Sequence, residues 1–228
     1  MHGGDCNRRG GSLNVHFVGT RRIDGLVRTR IVGPDLHLGR PLNAAACAAW
    51  VDTVLGIEQR ARAAGEDLQP PNSMHGYGLI LDGRFGLRAA VDRMVSDTVS
   101  PGSERVFPEF GRVAAHHAFV VHYASDRDHE LGFHVDDSDV TLNLCLGTLF
   151  EGGDLIFSGR RCAVHRQGFA RPEEQVRFAH VPGAALLHAG AHRHEAVPLV
   201  RGRRLNLIVW CKSVDPAPAS GHPGWCAA

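Results

Sequence analysis

Beyond residue 110 the chain breaks into short β-rich runs, and this constrains its architecture more than any other feature. "HAFVVHY" (117–123), "DVTLNLCLG" (139–147), "GDLIFSG" (153–159), "QVRFAHV" (175–181), "AALLHAG" (184–190) and "RLNLIVWC" (204–211) follow one another, separated by Gly, Pro, Asp and Ser clusters. Many short strands with turn signals between them predict an antiparallel sandwich or barrel, not a parallel α/β sheet. Helices come before them. Cys47, Trp50, Val51, Val54 and Leu55 share one face of a helix that starts at an Asn43 cap and stops at Gly65. Leu87, Val91, Met94 and Val95 mark a second, shorter helix, closed by Pro101 and Gly102. Between the helices "QPPNSMHGYGLILDG" reads as a turn-rich loop running into a short strand. The expected fold class is α+β, mainly β, with the helices packed on a β-core. Residues 1–22, Gly- and Arg-rich, are expected to be loose, and 23–228 to form a single domain.

Composition narrows the function. The 25 basic and 24 acidic residues cancel, so no basic field points to nucleic acid. No run of eighteen apolar residues exists to span a membrane, and the N-terminus lacks the apolar stretch of a secretory signal. The 6 cysteines show no C-x-x-C spacing, and Cys145 and Cys211 sit inside apolar strands as small hydrophobes. A reduced, cytoplasmic protein is expected. No feature fixes an oligomeric state.

The chemistry concentrates at "GFHVDDSDVTLNLCLG" (132–147). Residues i and i+2 of a strand point to the same side, so His134 and Asp136 project together and offer one imidazole nitrogen and one carboxylate oxygen to a single point. These are two of the three ligands of a 2-His-1-carboxylate facial triad for non-haem Fe(II). By itself H-x-D is a weak signal, since a hydrogen-bonded pair at a strand edge gives the same letters. Downstream, "HAGAHRHEAVPLVRGRRLNLIVWC" (188–211) supplies three candidate third ligands: His188, His192 and His194. It also supplies Arg204 at the start of an apolar strand. Leu205, Leu207, Val209 and Cys211 form that strand's packed face, while Arg204 and Asn206 open the other. A buried arginine needs an anion, and its planar fork suits a carboxylate. In the preceding strand Val140, Leu142, Leu144 and Leu146 would pack outside a barrel, with Thr141, Asn143 and Cys145 facing a polar lumen. Tyr123 is placed to lend its hydroxyl to the same cavity. Arg203 reads as solvent-directed, and Asp137 and Asp139 as turn caps. The loop at 71–78, with Met74, His75 and Tyr77, could close over a substrate or be an ordinary connection.

Taken together, these residues resemble the 2-oxoglutarate/Fe(II)-dependent oxygenases of the prolyl and lysyl hydroxylase type, whose fold is a double-stranded β-helix (jelly-roll). The resemblance is strong from about 115 to 212. It implies metal ligation by His134, Asp136 and His194, with Arg204, ten residues after His194, gripping the distal carboxylate of 2-oxoglutarate. His192 would put Arg204 twelve residues on, which fits that family less well. Tyr123, eleven residues before His134, and Asn143, nine after it, stand where the lysyl hydroxylase branch contacts the cosubstrate. The implied cofactor is Fe(II), with 2-oxoglutarate and O2 as cosubstrates. The implied reaction is hydroxylation of an unactivated C–H bond in a peptidyl, amino-acid-type or small biosynthetic substrate, releasing succinate and CO2. Asp136 stands where a halogenating variant would need an open position. The competing readings are a non-catalytic β-barrel that binds metal and 2-oxoglutarate, and a cupin-like dioxygenase, which would leave Arg204 without a partner.

Overall fold

The structure, a computed structural model, describes residues 30–214 and 226. The N-terminal segment 1–22 lies outside the described residues. The strands are β1 (Arg30–Gly33), β2 (Leu36–Gly39), β3 (Gly78–Ile80), β4 (Val113–Ala124), β5 (Leu131–His134), β6 (Val140–Gly147), β7 (Phe150–Gly152), β8 (Leu155–Arg160), β9 (Gln175–Phe178), β10 (Ala185–Ala189), β11 (His192–Ala196) and β12 (Leu199–Ser213). The helices are α1 (Ala44–Ala64), α2 (Arg88–Met94) and α3 (Ser100–Val106).

Helix α1 starts and stops where its sequence directs. The Asn43 side chain accepts from the Ala46 N–H at 2.8 Å, and Gly65 takes the left-handed conformation (φ 67°) that lets the last carbonyls find partners. Its buried stripe is Cys47, Trp50, Val51, Val54, Ile57 and Ala61. The second helical segment departs from expectation. Pro101 and Gly102 do not close it: α2 passes through a π-helical turn at Val95–Val99 straight into α3, which runs to Val106. Proline lacks an N–H that the first turn of a helix does not use, and the wider π turn before it makes room for the ring.

All strand pairs are antiparallel. One sheet has the order β1-β2-β10-β6-β12-β4-β3, with β7 paired to β12; the other has the order β5-β11-β8-β9. The hairpin β1–β2 and the strand β11 are additions to the sequence reading.

Strand alternation divides the interior into two cores. Val140, Leu142, Leu144 and Leu146 of β6, Ala185, Leu187 and Ala189 of β10, and Leu205, Leu207, Val209 and Cys211 of β12 pack outward against the three helices. Burying each leucine there contributes about 1.5–3 kcal/mol, so this layer carries much of the fold's stability. The opposite face looks onto the smaller sheet. There Phe119, Val121 and Tyr123 (β4), Leu186 (β10) and Ile208 (β12) meet Leu155 and Phe157 (β8) and Ala196 (β11). The two facing sheets form the double-stranded β-helix, or jelly-roll, and the helices support its larger sheet from outside.

Candidate metal centre and anion pocket

Strand pairing delivers the first ligands. β5 and β11 run antiparallel with His134 directly opposite His194, and the two rings lie 4.2 Å apart between centroids. Each imidazole Nδ1 meets a backbone carbonyl, His134 that of Gly132 at 2.8 Å and His194 that of His192 at 2.9 Å. A carbonyl only accepts, so in the neutral ring Nδ1 carries the hydrogen and Nε2 presents a lone pair. Both Nε2 atoms face Asp136 Oδ1, at 3.6 Å from His134 and 3.9 Å from His194. The three donor atoms lie within 4.8 Å of one another.

Asp136 does not reach this point by strand alternation, because β5 ends at His134. Its loop is held instead by the Asp136 N–H donating to Gly190 O at 3.0 Å. Thr141 Oγ1 donates to Asp136 Oδ2 at 2.6 Å, which leaves Oδ1 for the histidines. Gly190 permits the approach: a Cβ there would stand 2.0 Å from Ser138 O. Burial would raise the Asp136 pKa, but the imidazoles of His194, His134 and His188 gathered around it hold the carboxyl well below the usual carboxylate range. Burial pushes His194 down to about 3, with Asp136 opposing the shift and His134 and His188 adding to it. Two imidazole nitrogens and one carboxylate, all aimed at one point, are the donor set that suits Fe(II).

The other histidines stand near this trio. His192 lies opposite Arg160, fully buried, with both ring nitrogens lacking a hydrogen-bond partner, and its ring meets Phe157 edge-on. His188 Nε2 is 3.9 Å from Asp136 Oδ2, and its ring is 4.9 Å from that of His194. Phe157 stacks on His194 at 5.2 Å, fixing the ring's plane.

Further along the same interior, Arg204 lies opposite Tyr123 in the β12–β4 ladder. It is 1% exposed, its Nε has no partner, and no carboxylate of a described residue pairs with it. Its Nη1 donates to Gly153 O, and the guanidinium lies 4.5 Å from the Tyr123 ring centroid and 5.8 Å from that of Phe150. Gly153 (φ 70°) allows the contact, since a Cβ would come within 2.7 Å of Nη1. Asn206 Nδ2 donates to Asn143 Oδ1 at 2.8 Å, while Asn206 Oδ1 is buried without a partner. Burial lifts the Tyr123 hydroxyl to about 12, so it stays protonated. A buried cation with orphaned polar neighbours is costly by itself and calls for an anion. Arg203 is exposed, as read from the sequence.

Two contributors were not assigned such a place. His75 is wall and not lid: its Nδ1 donates to Asn72 Oδ1 at 3.1 Å, so its Nε2 accepts the Tyr123 hydroxyl at 3.0 Å. Tyr77 of the same loop is exposed. His180, just past β9, donates from Nε2 to Ala184 O at 3.1 Å and faces the Asn206 amide with Nδ1 at 3.3 Å. A lone histidine after a β-run gives no local signal of that contact.

No family model matches the chain. An Arabidopsis thaliana protein, 2-oxoglutarate and iron-dependent oxygenase domain-containing protein ICU11, is 43% identical over 186 residues, covering 79% of this chain and 47% of that protein. The chain thus spans about half the length of that relative. A rat protein, multifunctional procollagen lysine hydroxylase and glycosyltransferase LH3, is 35% identical over 124 residues, covering 52% of this chain and 15% of that protein. Among solved structures, a Pseudomonas putida prolyl-4-hydroxylase superposes with a TM-score of 0.54 at 18% identity, covering 79% of this chain and 94% of that one. By sequence the chain belongs to the 2-oxoglutarate and iron-dependent oxygenases, which draw on Fe(II), 2-oxoglutarate and O2, and its fold is the one seen in the prolyl-4-hydroxylase structure.

Proposed function

We propose that residues 23–228 act as one oxygenase domain that hydroxylates an unactivated C–H bond of a peptidyl, amino-acid-type or small biosynthetic substrate, in a reducing, cytoplasmic setting. The observation that carries this reading is Arg204: a buried guanidinium without a carboxylate partner among the described residues, sharing an interior with the His134–Asp136–His194 trio. In this reading the trio holds the metal and Arg204 anchors the far carboxylate of 2-oxoglutarate. Tyr123 and Asn143 complete the cosubstrate's contacts. Bound Fe(II) supplies the redox chemistry that couples decarboxylation of 2-oxoglutarate, to succinate and CO2, with oxygen insertion into a C–H bond.

The remaining work belongs to the chain itself. Carbonyls behind both imidazoles fix the tautomers, and Thr141 orients the carboxylate. Phe157, Phe119 and Leu186 keep the interior dry, which strengthens the grip of Arg204 on an anion. His134 is the most exposed ligand, with 14% of its side chain accessible against 4% for Asp136 and 6% for His194, so substrate approaches over β5.

The test is 2-oxoglutarate binding under argon, and succinate formation in air, for wild type, Arg204→Ala and His134→Ala. Truncating one side of a buried charge pair costs about 2 kcal/mol or more. Arg204→Ala should therefore bind the cosubstrate about 30-fold more weakly, or worse, while keeping its metal. His134→Ala should lose turnover. Tight 2-oxoglutarate binding in the wild type with no succinate under any substrate screen would favour the non-catalytic binding barrel. Unchanged affinity in Arg204→Ala would remove the anchor.

A further inference from the structure

We propose that Cys162, His165 and Cys226 form a second metal site, separate from the facial trio, that takes Zn2+. One donor atom from each lies within 4.8 Å of the others. Cys162 Sγ is 3.2 Å from His165 Nδ1, and Cys226 Sγ is 3.7 Å from the same nitrogen. Cys162 and His165 bracket a 3-10 turn (Ala163–His165), in which residues three apart fall on one side, so this C-x-x-H brings its two donors together. Cys226 arrives from 64 residues further along and is buried against them.

The surroundings are polar. The Cys162 backbone N–H donates to Cys226 Sγ at 3.3 Å. The guanidiniums of Arg161 and Arg193 lie nearby. Arg161 is neutralised by Glu174, bonded through both terminal nitrogens at 3.0 and 2.7 Å. Arg193 has no carboxylate partner among the described residues; its guanidinium donates to the carbonyls of Ser158, Gly159 and Gly168. Two thiolates and an imidazole are the soft and borderline donors that select zinc over the hard oxygen-loving cations. Three protein donors leave the tetrahedral ion's fourth position to solvent.

The placement gives the ion a structural task. Cys162 lies two residues past the end of β8, and the Arg161 N–H donates to Ala191 O at 3.2 Å, next to β11. A metal here would clamp residue 226 to the end of β8, the strand paired with the β11 that carries His194.

Anaerobic Co2+ titration of the full chain tests this, because thiolate-to-cobalt charge transfer in the near ultraviolet arises only from sulfur ligands. The expected result is one equivalent of Co2+ showing that band, retained in the variant carrying both His134→Ala and Asp136→Ala, lost in Cys226→Ser and Cys162→Ser, and displaced by Zn2+. Cys47→Ser serves as the control and should keep the band. With the facial trio removed by His134→Ala and Asp136→Ala, Zn2+ should also raise the melting temperature, and adding Cys226→Ser to that variant should abolish the rise, a comparison that needs both proteins only to fold. No thiolate band in the wild type, a band surviving in both cysteine variants, or a Cys162–Cys226 disulfide persisting after reducing purification would each overturn the proposal.

Discussion

Two faces of the same strands, β6 and β12, are buried to the same degree and obey different rules. Outward, toward the helices, Val140, Leu142, Leu144 and Leu146 alternate with Leu205, Leu207, Val209 and Cys211 in a layer without hydrogen-bonding side chains other than the thiol. Inward, Thr141, Asn143, Arg204 and Asn206 are as deeply covered, yet Arg204 Nε and Asn206 Oδ1 have no partner. Each such atom costs about 1–3 kcal/mol. The outward face is consistent at every level from alternation to packing; the inward face breaks the rule that buried polar groups are paired. Departures of that kind mark the place where a fold gives up stability for chemistry.

The contrast can be broken from either side. The largest effect belongs to Asp136→Ala, which should abolish succinate formation while circular dichroism shows an intact barrel. Residual turnover near the wild-type rate would show that the carboxylate is dispensable. Leu142→Ala, on the outward face, should cost about 2–5 kcal/mol in urea denaturation, with metal affinity per folded molecule unchanged. If that substitution loosened the metal as much as it loosened the fold, the two faces would not be separable. Thr141→Val is the finest probe, keeping volume while removing the hydroxyl that donates to Asp136 Oδ2. It should lower metal affinity or turnover by about 10–100-fold with little loss of stability. An unchanged rate would mean that the Asp136 loop alone sets the carboxylate.

Much of this was legible in the letters because it rests on local periodicity. Alternation placed β6 and β12 with their faces correctly divided, and Asn43 and Gly65 bounded α1 through their caps. Three histidines stood close enough to compete, and the resemblance's ten-residue step to Arg204 chose His194; the register of β11 against β5 sets that residue opposite His134. What escaped depended on partners far away in sequence. "HRHEA" lacks the apolar signature of a strand, because its buried side chains are the histidines and arginine of the site and its flank. Pro101 read as a stop, since no propensity announces a π turn. Cys226 carries no motif with Cys162, and the wall role of His75 needs Tyr123 from another element.

The pairing of His134 with His194 has a consequence in time as well as in space. The two residues are 60 positions apart, and they meet only when β5 and β11 have found their register. Closing a loop of that length costs about 4 kcal/mol of chain entropy before the contact returns anything, and folds dominated by such non-local pairings form slowly. A nascent or partly folded chain therefore has no facial trio to offer, and on the proposed ligation iron should be acquired only after barrel closure. Metal uptake in a refolding experiment is then a clock for the last step of assembly: it should lag the appearance of β-structure and coincide with burial of Phe157 against His194.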